Sequence, residues 1–276
     1  MDNEILQKAY KKAIGNGVSS FAAMTIQISS LMWLRTTMNY QYRYGGSFTS
    51  TISTLYNQGG ILRFYKGYPY ALMMGPICRF SDTASNAFTL KYLENKDLPL
   101  SVKTLAGSTV ASINRIFLMP IDTLKTSLQV NSNNGLIDIK NKIKINGFRT
   151  LYNGSTASVS ATFLGHYPWF LTYNYLNETL PKKEDKLYTL FRNGTIGFSS
   201  AVISDITSNS LRVIKTSKQT YSSDISYINL TKNIINKDGI KGLFGRGLKT
   251  RIITNGTQGI FFVVLWKYIE ESFFNN

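Results

Sequence analysis

The sequence predicts an all-α membrane protein, six transmembrane helices in three pseudo-threefold repeats, with short helices between them on one side. Three observations predict it: a repeat of about ninety residues, two long helical stretches in each repeat, and basic residues gathered into alternate loops. The repeat is carried by Gly17, Gly107 and Gly197, by Ser30, Pro120 and Ser210, and by Arg35-Thr36, Lys125-Thr126 and Lys215-Thr216, each series advancing in 90-residue steps. A Gly-rich turn closes later in each unit, at Gly67, Gly154 and Gly247, so insertions are confined to the loops.

In chain order the first unit reads as a long helix over 12–38, a polar loop holding a short amphipathic helix, the turn Gly59 to Gly67, and a second long helix over 68–93. The second unit repeats this with helices over 101–129 and 155–178, and the third with 188–217 and 248–270. At about 1.5 Å per residue each long helix crosses a hydrocarbon layer of about 30 Å with tilt. The repeats fall at approximately 10–96, 97–184 and 185–276 of one domain over 1–276. Gly15, Gly17, Ala106, Gly107, Gly194 and Gly197, near the starts of the odd helices, are expected to let backbones approach closely.

No window supplies twenty charge-free, strongly apolar residues, and mean hydropathy is −0.09. The spans are therefore expected to be apolar on an outer face only and polar toward a watery interior. The N-terminus Met1-Asp-Asn-Glu carries acids where a cleavable presequence avoids them, so none is expected.

Lys and Arg number 31 against 15 Asp and Glu, a net charge of +16. The segments 35–66, 125–149 and 215–251 hold four, five and eight basic residues against three acids, Asp138, Asp224 and Asp238. Nearly all the excess charge thus lies on one face, which the positive-inside tendency assigns to the compartment of synthesis or its equivalent. Charge distributed by alternate loops is not a nucleic-acid footprint, and no nucleic-acid partner is expected. A single Cys (Cys78) and a single His (His166) exclude a disulfide framework and multi-His or Cys-rich metal sites. No nucleophile constellation assembles, so neither an enzyme nor a cofactor is expected, and no catalytic or metal residue is assigned.

Pro120-Ile-Asp122-Thr-Leu-Lys125, with Gly107 upstream and the Tyr152-Asn153-Gly154 turn downstream, resembles the signature of the mitochondrial carrier family, P-x-[DE]-x-x-[KR]. With the threefold repeat, the resemblance covers essentially the whole chain. It implies six tilted helices around a central cavity in the mitochondrial inner membrane, the basic loops in the matrix. It also implies cardiolipin at the turns Tyr65-Lys66-Gly67, Tyr152-Asn153-Gly154 and Gly245-Arg246-Gly247; the second lacks the family's cation. A solvated basic face is the alternative reading of these cations.

The resemblance further implies a matrix gate at the Pro, acid and base positions. These read Ser30, Met32 and Arg35 in the first unit and Ser210, Arg212 and Lys215 in the third. Neighbour pairing then gives Asp122 with Lys215, Lys125 facing Met32, and Arg35 facing Arg212. Two like charges at about 4 Å and an effective dielectric near 20 repel by roughly 4 kcal/mol, so the closing forces nearly cancel. The opposite gate falls at Asn86-Ala87, Tyr173-Asn174 and Trp266-Lys267 and lacks its acids.

The family's cavity positions fall at Thr25, Arg115 and Asp205 on the odd helices. On the even helices they fall at Met74-Gly75, Ala161-Thr162 and Thr254-Asn255, with Arg79 and His166 one turn further. Arg115 and Asp205 have a blander alternative, a mutual pair across neighbouring helices. His166 can equally be a hydrogen-bonded interior residue, and Cys78 an inert packing residue. Two functional readings follow. One is a divergent carrier moving a small anionic or zwitterionic metabolite by alternating access. The other is a transport-incompetent, lipid-binding subunit of a larger inner-membrane complex, motivated by the missing latches.

Overall fold

The computed structural model describes residues 2–93, 99–182 and 185–259. The described residues are helical throughout, with short connections. The first unit comprises α1 (Asp2–Tyr44), α2 (Phe48–Asn57), α3 (Gly60–Phe64) and α4 (Tyr68–Tyr92). The second comprises α5 (Leu100–Asn131), α6 (Asn133–Asn146), a 3₁₀ turn (Gly147–Tyr152) and α7 (Ser155–Thr179). The third comprises α8 (Lys186–Thr220), α9 (Tyr227–Gly245) and α10, helical over 248–259 where the description ends. Ser47 and Ser226 cap α2 and α9, their hydroxyls accepting from the backbone N–H of Ser50 and Asn229 at 3.2 Å.

The long helices form a ring in chain order. α1 packs on α4, α4 on α5, α5 on α7 and α7 on α8. α10 closes the circle: Arg251 reaches Asp205 of α8, while Thr250 donates to the Gln41 side chain of α1 at 2.5 Å and Gln27 of α1 donates to the Gln258 carbonyl at 2.7 Å. The odd helices α1, α5 and α8 also touch one another near their C-terminal ends.

The repeat written in the sequence recurs in the packing. Gly67, Gly154 and Gly247 all take left-handed backbone, with φ of 83°, 88° and 65°. A Cβ at Gly67 would lie 2.9 Å from the Lys125 carbonyl oxygen of α5, and one at Gly154 would lie 3.1 Å from that of Lys215 in α8. One at Gly247 would lie 3.2 Å from the Met38 carbonyl oxygen and 2.8 Å from the Tyr42 ring, both in α1. Each closing turn therefore docks on the odd helix of the following unit, and the third docks on the first. A side chain would meet both the left-handed strain and the neighbouring helix.

In the third unit close approach occurs elsewhere than the sequence suggests; the surroundings of Gly15 and Gly17 lie outside the described residues. Among the described residues, a Cβ at Gly194 or Gly197 meets nothing within 4 Å, whereas one at Gly165 would sit 3.1 Å from the Ser204 hydroxyl. Tight packing of α7 on α8 thus rests on Gly165 and serines of α8.

Polar groups are buried alongside apolar ones, and large apolar side chains are exposed on the long helices. Buried positions include Gln27, Ser108, Asp122, Ser200, Asp205 and Thr254, while Phe88, Phe117, Leu171, Phe191 and Ile206 are exposed on the long helices. Among the described residues no helix is long and apolar enough to qualify alone as a membrane span. Averaging an apolar outer face with a polar inner one lowers any single-helix hydropathy.

Candidate functional site

A cavity of about 350 Å3 opens between α1, α4, α5, α8 and α10. Met24, Ile28, Ala71, Met74 and Gly75 give it one apolar wall, and Asn39, Thr126, Gln129, Thr216 and Gln258 contribute polar groups. Six cations line it: Arg35, Arg115, Lys125, Arg212, Lys215 and Arg251. Asp122 is the acid in the lining. A smaller cavity of about 130 Å3 extends toward α7, sharing Arg115, Asp122, Arg212 and Lys215 and adding Ser158, Thr162 and His166.

Most sequence-selected positions therefore meet. Arg115, Thr162, His166, Thr254 and Asn255 line one or both cavities, as do the five gate residues Arg35, Asp122, Lys125, Arg212 and Lys215. Thr25 is not in either lining; its carbonyl accepts from the Ser29 hydroxyl at 2.7 Å. Asp205 lies behind the wall, its side chain 4% exposed. The side chain of Arg79, and Trp266-Lys267, lie outside the described residues; Tyr173 stacks on Trp169 with centroids 5.1 Å apart.

The constriction centres on Asp122. Its carboxylate is 4% exposed, pairs with Lys215 of α8 as the sequence predicted, and accepts from Lys125 on its own helix at 2.6 Å. Lys125 is thus not the orphan expected opposite Met32. One helical turn separates it from Asp122, and the nearest carboxylate captures it, with the Met74 sulfur 3.3 Å away. Gln219 of α8 donates to Asp122 at 3.1 Å and to Thr123 at 3.2 Å. On the α1 side, Asn39 donates to Gln129 at 2.6 Å, and Gln129 donates to the Met32 sulfur at 3.6 Å. Asn39, Gln129 and Gln219 form an amide tier that the sequence analysis missed, although the same 90-residue step announces it.

Asp205 does not pair with Arg115. Arg251 donates to its Oδ1 at 2.5 Å and Asn255 to its Oδ2 at 2.5 Å, both from α10. Arg251 was also missed. It stands one turn before Asn255, on the same helix face, where the other units place Ala71 and Ser158, and that spacing was the available signal.

The Gly-rich turns also correct the sequence reading. Arg246 is 7% exposed, donating to Asp238 at 2.8 Å and to the Arg43 carbonyl at 3.1 Å, so its charge is spent internally and does not face a lipid headgroup. Lys66 donates to the Asn133 side chain at 3.0 Å and stays partly exposed. Arg63 is likewise no solvated cation. It is 2% exposed and donates to the Gln129 and Val130 carbonyls at 2.8 and 2.7 Å, capping the C-terminal end of α5.

A family model described as mitochondrial carrier protein matches residues 96–184 and 186–276. The chain belongs to the mitochondrial carrier family. Its members are transporters rather than enzymes. The matched residues are the second and third units; the first is the one that puts Ser30 and Met32 at the signature positions. The chain is 28% identical over 164 residues to a mitochondrial carrier-like protein of Acanthamoeba polyphaga mimivirus, covering 59% of this chain and 65% of that one. It is 28% identical over 159 residues to the nicotinamide adenine dinucleotide transporter 2, mitochondrial, of Arabidopsis thaliana, covering 50% and 43%. It is 28% identical over 171 residues to a mitochondrial S-adenosylmethionine carrier protein of Xenopus tropicalis, covering 60% and 58%. Each of these matches spans less than two thirds of the relative.

Proposed function

We propose that this mitochondrial carrier family protein is a single domain over residues 1–276, set in the mitochondrial inner membrane as six helices. In this reading it moves a small organic anion by alternating access. The observation that carries the reading is the cavity itself, whose lining includes six basic side chains and polar groups from five helices. Guanidinium and ammonium groups facing a cavity suit the oxygens of an anionic solute. The polar interior and apolar exterior of the helix ring support the membrane setting.

A cavity of about 350 Å3 lies at the small end of ligand pockets. It suits a carboxylate or a phosphate ester, with Arg115 meeting the anionic group and Thr254, Asn255 and Thr162 supplying hydrogen bonds. Relatives are named for nicotinamide adenine dinucleotide and S-adenosylmethionine. Cardiolipin is proposed at Tyr65-Lys66-Gly67 and Tyr152-Asn153-Gly154, where exposed Ile61, Leu62 and Phe148 offer apolar surface to acyl chains.

Uptake into proteoliposomes across carboxylates, amino acids and nucleotides tests the function. Saturable uptake of an anionic solute is expected, reduced about tenfold or more by Arg115→Ala. Absence of saturable uptake by folded protein contradicts it. One observation favours a second reading, a lipid-binding subunit of a larger assembly: among the described residues Lys125 and Lys215 both pair with the same carboxylate, Asp122. Co-migration with partner subunits in mild detergent, with no uptake, is the outcome which that reading predicts.

A further inference from the structure

The main cavity is two-faced, and the division follows the repeat. Counted from the closing glycines, Ala71, Met74 and Gly75 of α4 correspond to Ser158, Ala161 and Thr162 of α7 and to Arg251, Thr254 and Asn255 of α10. In the 90-residue register Met24 of α1 corresponds to Asn114 of α5 and Ser204 of α8. The first unit thus carries apolar groups where the other two carry mostly polar ones. Those four positions of the first unit line the cavity together with Ile28. Of the six cations in the lining, five stand on α5, α8 and α10; the sixth, Arg35, lies about two turns beyond Ile28, toward the constriction.

The apolar face is a built surface. A Cβ at Gly75 would lie 2.6 Å from Ile28 Cδ1 and 3.3 Å from the Met24 sulfur, so the glycine lets α4 close on α1. Met24, Ile28 and Ala71 belong to one buried cluster, with Tyr65, Tyr68 and Leu72 packed against it. At the edge of this face the Met74 sulfur stands 3.3 Å from the Lys125 ammonium, and there the apolar wall meets the charged one. Thioethers are flexible and polarisable and adapt to apolar groups of different shape. A wholly hydrophilic solute leaves this face against water, whereas a solute with an apolar part covers it and gains with each methylene removed from water.

We propose that the solute is an amphipathic organic anion, its apolar part lodged against Met24, Ile28 and Met74 between α1 and α4 and its anionic group turned toward α5, α8 and α10. The inference rests on the transport reading for the anionic end and adds the chemical class of the rest of the solute. The first unit is then the one that sets specificity, with Met24 and Met74 as its selecting side chains. The two units that the family model matches supply the polar and charged wall.

The test uses the full-length protein and one headgroup with a graded tail: methyl, propyl and butyl phosphate, with glycerol phosphate as the hydrophilic counterpart of propyl phosphate. Dissociation constants are taken from thermal unfolding titrated at constant ionic strength, and the same esters compete in the proteoliposome uptake assay. Affinity is expected to rise about fourfold for each added methylene. Glycerol phosphate is expected to bind about tenfold more weakly than propyl phosphate. Met74→Gln, close in size, is expected to lower the butyl-to-methyl affinity ratio about tenfold, and Met74→Leu to keep it. A series that is flat or does not bind, or glycerol phosphate as tight as propyl phosphate, overturns the proposal. So does an undiminished butyl-to-methyl ratio in Met74→Gln, which would place the tail elsewhere. Saturable uptake with a flat series removes this inference and leaves the transport reading standing; chain-length-dependent binding without uptake does the reverse.

Discussion

Asp122→Asn is expected to destabilise the protein by about 3–5 kcal/mol, the range for breaking a buried ion pair by removing one partner. The carboxylate is the meeting point of Lys125, Lys215 and Gln219 and is almost sealed from solvent. An amide in its place cannot neutralise either ammonium, so two like charges are left side by side between α5 and α8. At about 2–4 °C per kcal/mol for a chain of this size, the Tm is expected to fall by about 10 °C. Lys215→Met in the Asp122→Asn background removes one uncompensated charge and is expected to recover part of the loss. The readout is thermal unfolding of the purified variants. An unchanged Tm in Asp122→Asn would mean that the pair contributes nothing to holding α5 against α8.

Asp205 carries the second large effect. Its oxygens accept from Arg251 and Asn255, which fastens α10 to α8 and completes the helix ring. Asp205→Asn is expected to cost about 3 kcal/mol or more, because Arg251 then stays beside Arg212 with no counter-charge. Arg251→Gln should cost about as much by stranding the carboxylate. The double variant is expected to be more stable than the sum of the two losses implies, since an Asn and a Gln can hydrogen-bond without charge. A thermal-unfolding double-mutant cycle measures this coupling. Additive losses would show that the two groups do not act as a pair.

The long helices were legible because long uninterrupted stretches between Gly-rich stops leave few alternatives. The expected start of the second unit's first helix at 101 and the observed start at Leu100 differ by one residue and its expected end at 129 by two, whereas α1, expected over 12–38, runs Asp2–Tyr44. The Asp122–Lys215 pair was legible for another reason. A 90-residue register fixes which residues of neighbouring repeats share a level, and opposite charges at one level find each other. Partner choice within a level was not legible. Lys125 had two directions open, toward the next helix or back along its own, and the i, i+3 carboxylate was closer. Asp205 had two arginines available in sequence, and only the rotation of α10 about its axis decides for Arg251. Arg246 read as a headgroup ligand because an aromatic-base-Gly pattern does not reveal that Asp238, eight residues earlier, folds back onto it.

Cys78 lines the main cavity and is the chain's single cysteine, so it reports access without any engineered thiol. The central claim is a cationic cavity closed by Asp122 at the basic-loop end and reached from the other. It is tested most directly by labelling Cys78 in oriented proteoliposomes with a membrane-impermeant thiol reagent. Labelling is expected from the face opposite the basic loops, slowed by a transported anion, with access from the basic-loop face appearing in Asp122→Asn. Equal labelling of the wild type from both faces, or labelling from the basic-loop face alone, would contradict the account.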